Sequence, residues 1–188
     1  MNYLLTNQET ERLTFRVLEQ SDFEEWMELF EDENVGMFLG LGKGKTRREL
    51  NEIWFEKCFA RYDEDRGGMN VLVDKKSGKL IGQCGLLIQV VEGETRLEIG
   101  YSILPKYWGM GYATEAAKKH RDFAFEKNYW PELISTVHVD NIGSEKVAQK
   151  NGMTLEKIVL EDDGEYYKIF LITRKQWLEL QEESPSAQ

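Results

Sequence analysis

The chain has 188 residues, a formal net charge of −10 at pH 7 and 41% hydrophobic residues. That length buries one sizeable core and no composition break divides it, so a single domain is expected over residues 1–180, followed by a flexible polar tail over 181–188. The acidity excludes a general affinity for nucleic acid or an anionic membrane, both of which attract basic surfaces; it suits a cationic substrate, although solubility alone accounts for it.

Cys58 and Cys84 are the only cysteines, and they lack the spacing of a disulfide framework or a metal site, so both read as reduced core residues. The N-terminus has neither the basic region nor the apolar run of a signal peptide, and no apolar segment approaches a bilayer span. A soluble cytoplasmic protein is the expectation.

In chain order, Arg12 to Val17 alternates polar and apolar residues as a strand does. Ser21-Asp-Phe-Glu24 then makes a capping box ahead of Phe23, Trp26, Met27 and Phe30, predicting a first helix. Glu31-Asp-Glu33 reads as a solvated loop, with an ammonium-attracting entrance as the functional alternative. Gly40-Leu-Gly-Lys-Gly-Lys-Thr46 imitates a P-loop and Val71-Leu-Val-Asp74 its magnesium strand, but the required first glycine falls on Leu39 and no clean strand precedes it. A second capping box, Thr46-Arg-Arg-Glu49, precedes Leu50, Ile53, Trp54 and Cys58 on one face of a helix predicted to reach about Tyr62. The aromatics on these helices read as packing, not as platforms for bases.

From Asn70 the period changes to three antiparallel strands, broken by a Lys-Lys-Ser-Gly turn and a Glu-Gly-Glu turn, the last strand being Arg96 to Leu104. This meander runs through Gly109-Met-Gly111 into a helix from about Tyr112 to Lys127. The glycines allow close backbone approach, and the first N–H groups of a helix have no intrahelical partner, so the turn is suited to an anion such as a diphosphate. A dinucleotide fingerprint fails because its third glycine would fall on Thr114; a bare helix start is the bland reading.

Ala113, Ala116, Ala117, His120 and Ala124 line one side of this helix and permit close packing on a sheet. Leu133 to Val139 makes a strand, Gly143 to Asn151 a short helix stopped by Gly152, and Met153 to Leu160 and Glu165 to Thr173 two closing strands. His120 and His138 belong to no triad or metal spacing and read as packing residues. The fold class that follows is α/β, a mixed and mostly antiparallel sheet with helices on both faces.

Pro105-Lys-Tyr-Trp-Gly-Met-Gly-Tyr-Ala-Thr-Glu-Ala116 resembles the acetyl-CoA signature of the GNAT N-acetyltransferase superfamily, and most of all its Rim-type branch, named for acetylation of ribosomal-protein N-termini. The family pattern falls on Lys106, Gly109 and Gly111, where Lys106 departs from the usual Arg or Gln. The likeness extends to Glu9 to Phe30, Ser77 to Leu86, Asp140 to Met153 and Glu165 to Trp177. It implies acetyl-CoA as cosubstrate, no metal, and a small-molecule or peptide amine as acceptor, with a homodimer left open. The cofactor contacts it implies are backbone groups of Tyr101, Ser102, Ile103 and Leu104, which would hold the pantetheine arm like an added strand. Lys106, Trp108, Gly109, Met110, Gly111, Ala113 and Thr114 would follow around the turn, and Asn141 and Ser144 match the family's Asn-X-X-Ser.

Acetyl transfer to a lysine-like amine of pKa about 10.4 starts from a nitrogen that is neutral in roughly one molecule in 2500 at pH 7, so a base contributes directly to rate. Glu98, in the strand feeding the turn, is the candidate, with a solvated strand carboxylate as the alternative. Its role requires burial to raise its pKa. The resemblance makes Ser144 a candidate acid for the leaving thiolate, while helix capping by Asn141 competes with a cofactor role for that segment. Tyr101, Tyr112, Tyr166 and Tyr167 stand in reserve as acids. A GNAT-like module that binds an acyl-CoA without turnover is the second functional reading, a P-loop nucleotide enzyme the third.

Overall fold

The computed structural model describes residues 3–183. Among the described residues, seven strands form one sheet in the spatial order β1 (Leu13–Arg16), β2 (Gly67–Asp74), β3 (Leu80–Val91), β4 (Glu94–Ile103), β5 (Glu132–His138), β7 (Tyr166–Thr173) and β6 (Thr154–Leu160). Every neighbouring pair is antiparallel except β4 with β5. The mixed α/β class and the meander are as the alternation predicts.

The sheet buries a different cluster on each face, as strand alternation requires. On one face Ile81, Leu97, Ile99 and Leu133 pack under α4 (Tyr112–Glu126), whose Ala116, Ala117 and Ala124 are fully buried, and under Trp177 of α6 (Arg174–Glu183). On the other, Met69, Val71 and Leu87 pack under Leu50, Phe55 and Cys58 of α3 (Arg47–Asp63), together with Trp26, Leu29 and Phe30. Thr46 caps α3 reciprocally with Glu49, as the box predicts.

The first helix does not form as expected. Residues 20–31 break into 3₁₀ turns around a short α1 (Phe23–Trp26), and the capping box lies at Glu19 and Asp22 instead of Ser21 and Glu24. The Arg16 guanidinium grips both Asp22 oxygens at 2.7 Å, and Asp22 also accepts the Glu19 N–H, so the turn is fixed by an ion pair that local spacing does not reveal. The P-loop imitation follows the short α2 (Val35–Phe38), not a strand. α6 reaches Glu183, so residues 181–183 of the expected tail are helical; 184–188 lie outside the described residues.

One feature positions the site. β4 and β5 share a single register pair, Glu98 with Ile134, and separate beyond it. At the closed end the buried Arg96 bridges Glu132 on β5 and Glu156 on β6, both at 2.7 Å. At the fork, backbone groups left without a ladder partner are satisfied by side chains: Ser135 Oγ donates to the Ile99 carbonyl (2.8 Å), and the Thr136 N–H donates to Glu98 Oε1 (3.0 Å).

Candidate active site

A cavity of about 580 Å³ runs from the glycine turn, through the fork, to the N-terminal turns on the far face. Trp108, Gly109, Gly111, Tyr112, Ala113 and Thr114 line its turn end, Tyr101, Ser102 and Ile103 its strand wall, and Asn141 and Ser144 the wall made by α5 (Ile142–Lys150). Gly109 and Gly111 both have left-handed φ, +76° and +82°. Gly111 is the N-cap of α4, and its carbonyl accepts from the Glu115 N–H. The N–H groups of Tyr112, Ala113 and Thr114 therefore have no intrahelical acceptor, and all three residues face the cavity.

This end fits a coenzyme A diphosphate: helix-start donors, a turn in which a Cβ on Gly109 would meet nothing within 4 Å, and Lys146 and Lys150 on the opposite wall. The turn is held from outside. Arg12 donates from Nη1 to the Met110 carbonyl (2.9 Å) and from Nε to Glu115 (2.6 Å), while its guanidinium lies 4.2 Å from the Tyr112 ring centroid. Trp108 Nε1 donates to the Ile103 carbonyl at 2.6 Å.

Three expected cofactor residues are not on the cavity wall. The Leu104 side chain is fully buried in the core and its N–H donates to Ile81, so it has no free edge donor. Lys106 is in an ion pair with Glu28 at 2.5 Å, and Met110, in the middle of the turn, is exposed.

Glu98 sits where the cavity crosses the fork, with 7% exposure. Burial pushes its carboxyl above the ordinary range, against hydrogen bonds from Gln89 and Thr136 and the charge of Arg61, which pull it down. A second cavity of about 380 Å³ opens on the α3 side and shares Phe38, Glu98, Gly100 and Thr136 with the first. Trp54 and Tyr167 line it, with Glu161, Asp162 and Asp163 from the β6–β7 turn. Glu31 and Glu33 are on neither wall, whereas Asp32 lines the first cavity.

Asn141 caps α5, its Oδ1 accepting from the Ser144 N–H at 3.0 Å, and also lines the cavity. Among the reserve tyrosines, Tyr101 donates to the Ser144 carbonyl (2.7 Å) and burial raises its pKa; Tyr112 is tied to Asp74 (3.4 Å) and Tyr167 to Asp163 (2.8 Å). Tyr166 is exposed off both walls. His120 is a buried packing residue, donating from Nδ1 to Ala116 at 2.8 Å beside Phe15. His138 packs between Phe38 and Tyr167 and also lines the first cavity. Arg12, Gln89, Thr136, Lys146 and Lys150 had no local signal, because each acquires its place from strand register or a long-range contact.

The forked sheet, the left-handed turn and the carboxylate at the fork define an acyl-transferase architecture. Residues 12–154 match the family model described as an acetyltransferase (GNAT) domain. The chain belongs to that family. It is 32% identical over 155 residues to the uncharacterized protein YkkB of Bacillus subtilis, covering 80% of this chain and 86% of that protein. It is 27% identical over 192 residues to the FsC-acetyl coenzyme A-N(2)-transacetylase of Aspergillus fumigatus, covering 93% and 79%. The crystal structure of an acetyltransferase from Agrobacterium tumefaciens superposes with a TM-score of 0.72 at 27% identity, covering 92% of this chain and 96% of that one. Among the described residues there is no group of three or more His, Cys, Asp or Glu suited to a metal, and no helix is long and apolar enough to cross a membrane.

Proposed function

We propose that this chain is a cytoplasmic N-acetyltransferase that takes acetyl-CoA as donor and a primary amine as acceptor, by direct transfer. The observation that carries it is the meeting of two cavities at one buried carboxylate: the first leads back to the diphosphate-suited turn, the second to an acid-rimmed mouth. A relative whose name specifies acetyl coenzyme A and a nitrogen acceptor supports the same chemistry.

Acetyl-CoA, when bound, supplies the thioester carbonyl and the thiolate leaving group. The amides of the Gly109–Gly111 turn and of residues 112–114 hold the diphosphate, with Lys146 and Lys150 adding charge. Tyr101, Ser102 and Ile103 offer the edge that β5 leaves open. Glu98 takes a proton from the acceptor ammonium at the junction, and its burial raises its basicity toward the working pH. Ser144, on the cavity wall, donates a proton to the sulfur as the carbon–sulfur bond breaks and recovers one from the newly acylated nitrogen; the Tyr101 hydroxyl is already committed to a carbonyl. Glu161, Asp162 and Asp163 favour a cationic acceptor at the second mouth. The Rim-type likeness of the Pro105–Ala116 run favours a protein α-amine among the acceptors, beside small-molecule amines.

The test is thiol release from acetyl-CoA by the purified protein across α-amino peptides, polyamines, aminoglycosides and metabolite amines. Acceptor-dependent release with at least one class is expected. Tight acetyl-CoA binding with no release across the panel supports the non-catalytic acyl-CoA sensor and overturns the enzyme.

A further inference from the structure

Glu98 is held by a hydrogen-bonded series that begins on another layer of the fold. Gln89 on β3 donates from Nε2 to Glu98 Oε2 at 2.9 Å. The same amide accepts, on Oε1, from Arg61 Nη2 of α3 at 2.7 Å. Arg61 is itself fixed, its Nη1 donating to the Ile88 carbonyl at 3.1 Å. A guanidinium only donates, so the oxygen of Gln89 must face Arg61 and its NH₂ must face Glu98. The amide therefore has one orientation, and Glu98 meets N–H donors on both oxygens, from Gln89 and from Thr136.

Two donors facing a carboxylate oppose its protonation, because an added proton would have to find space beside N–H groups already directed at the oxygens. We propose that Arg61 and Gln89 are a positioning relay that keeps Glu98 a proton acceptor at neutral pH despite its burial. The inference rests on the reading of Glu98 as the base. The surroundings need such a device. Tyr101 lies on the same strand, and Glu161, Asp162, Asp163 and Tyr167 line the adjoining cavity; Asp32 and His138 line the first cavity, where Lys146 and Lys150 stand on α5 opposite the glycine turn. Arg96 is engaged by Glu132 and Glu156, and Arg61 is the cation whose charge acts on Glu98.

The experiment is the pH profile of kcat/KM for Gln89→Met and Arg61→Met beside the parent and Glu98→Gln, with acetyl-CoA binding by each variant as the check of fold. Both relay variants should move the acid limb upward by about one pH unit, the size of one lost charge-assisted hydrogen bond. An acid limb that stays in place in both while Glu98→Gln abolishes it overturns the relay and leaves the base assignment standing. An acid limb that survives Glu98→Gln sinks the base assignment, and the relay is then read by carboxyl-carbon NMR titration of Glu98. There a midpoint raised in Gln89→Met supports the relay, and an unmoved midpoint overturns it. If Arg61→Met loses its fold, Gln89→Met carries the test, since it removes one side-chain amide and keeps the volume.

Discussion

Glu98, Ser144 and His120 show how one side chain takes its chemistry from its surroundings. Removing the Glu98 carboxylate by Glu98→Gln is expected to lower kcat/KM by about 10²–10⁴-fold at pH 7, the range for a lost general base; steady-state kinetics with an unchanged rate would remove Glu98 from the mechanism. Ser144→Ala should lower kcat while leaving the Kd for acetyl-CoA unchanged, and a normal turnover number would exclude the hydroxyl as the acid. His120 is fully buried with Nε2 lacking a partner, and burial pushes its pKa from 6.5 to about 4. The folded value lies below the unfolded one, so the unfolded chain binds the extra proton between these limits. Its stabilising contribution is complete above pH 6.5 and is lost as pH falls toward 4, on the order of 3 kcal/mol in all. Thermal midpoints between pH 7 and 4.5 should therefore fall less for His120→Leu than for the parent; parallel curves would refute this.

The element that most needs its residues is the turn entering α4. Gly109 has φ +76° and open space where a Cβ would stand, so Gly109→Ala costs the folded protein roughly 1–2 kcal/mol of backbone strain. Calorimetry should show a loss of acetyl-CoA affinity larger than that strain explains, because the added methyl fills the approach to the diphosphate; unchanged affinity would place the phosphate elsewhere. Arg12 acts on the same turn from the start of β1, holding the Met110 carbonyl outward and pairing with Glu115. Arg12→Met should raise KM for acetyl-CoA several-fold with kcat little changed, since it loosens the turn and touches nothing at the fork. A fall confined to kcat would contradict that role.

Across the molecule, the cavity is lined by β4, β5, the glycine turn, α5 and the N-terminal turns, segments brought together only by folding, so a ligand filling it binds the folded state alone. Acetyl-CoA at 100 times its Kd adds about 2.7 kcal/mol of stability, roughly 5–10 °C in Tm for a chain of this size. A thermal-shift assay should show this with acetyl-CoA and not with ATP. Preferential stabilisation by ATP would revive the P-loop reading.

Local pattern carried much of this protein. Alternation of period two, the Thr46 box, the alanine stripe of α4 and the Gly109-Met-Gly111 turn act through neighbours in the chain, so strands, α3, α4 and the left-handed turn that enters it were legible from residues alone. The broken first helix was not, because Arg16 and Asp22 override its propensity through a contact across a turn. Lys106 and Leu104 belong to the linear cofactor pattern, and the partners they bond to, Glu28 and Ile81, come from other elements that the pattern does not indicate. The burial of Glu98, its donors Gln89 and Thr136, and the Arg61 charge behind them depend on strand register and on where β5 leaves β4. Those are long-range quantities, decided by how the layers pack, and no spacing along the chain encodes them one residue at a time.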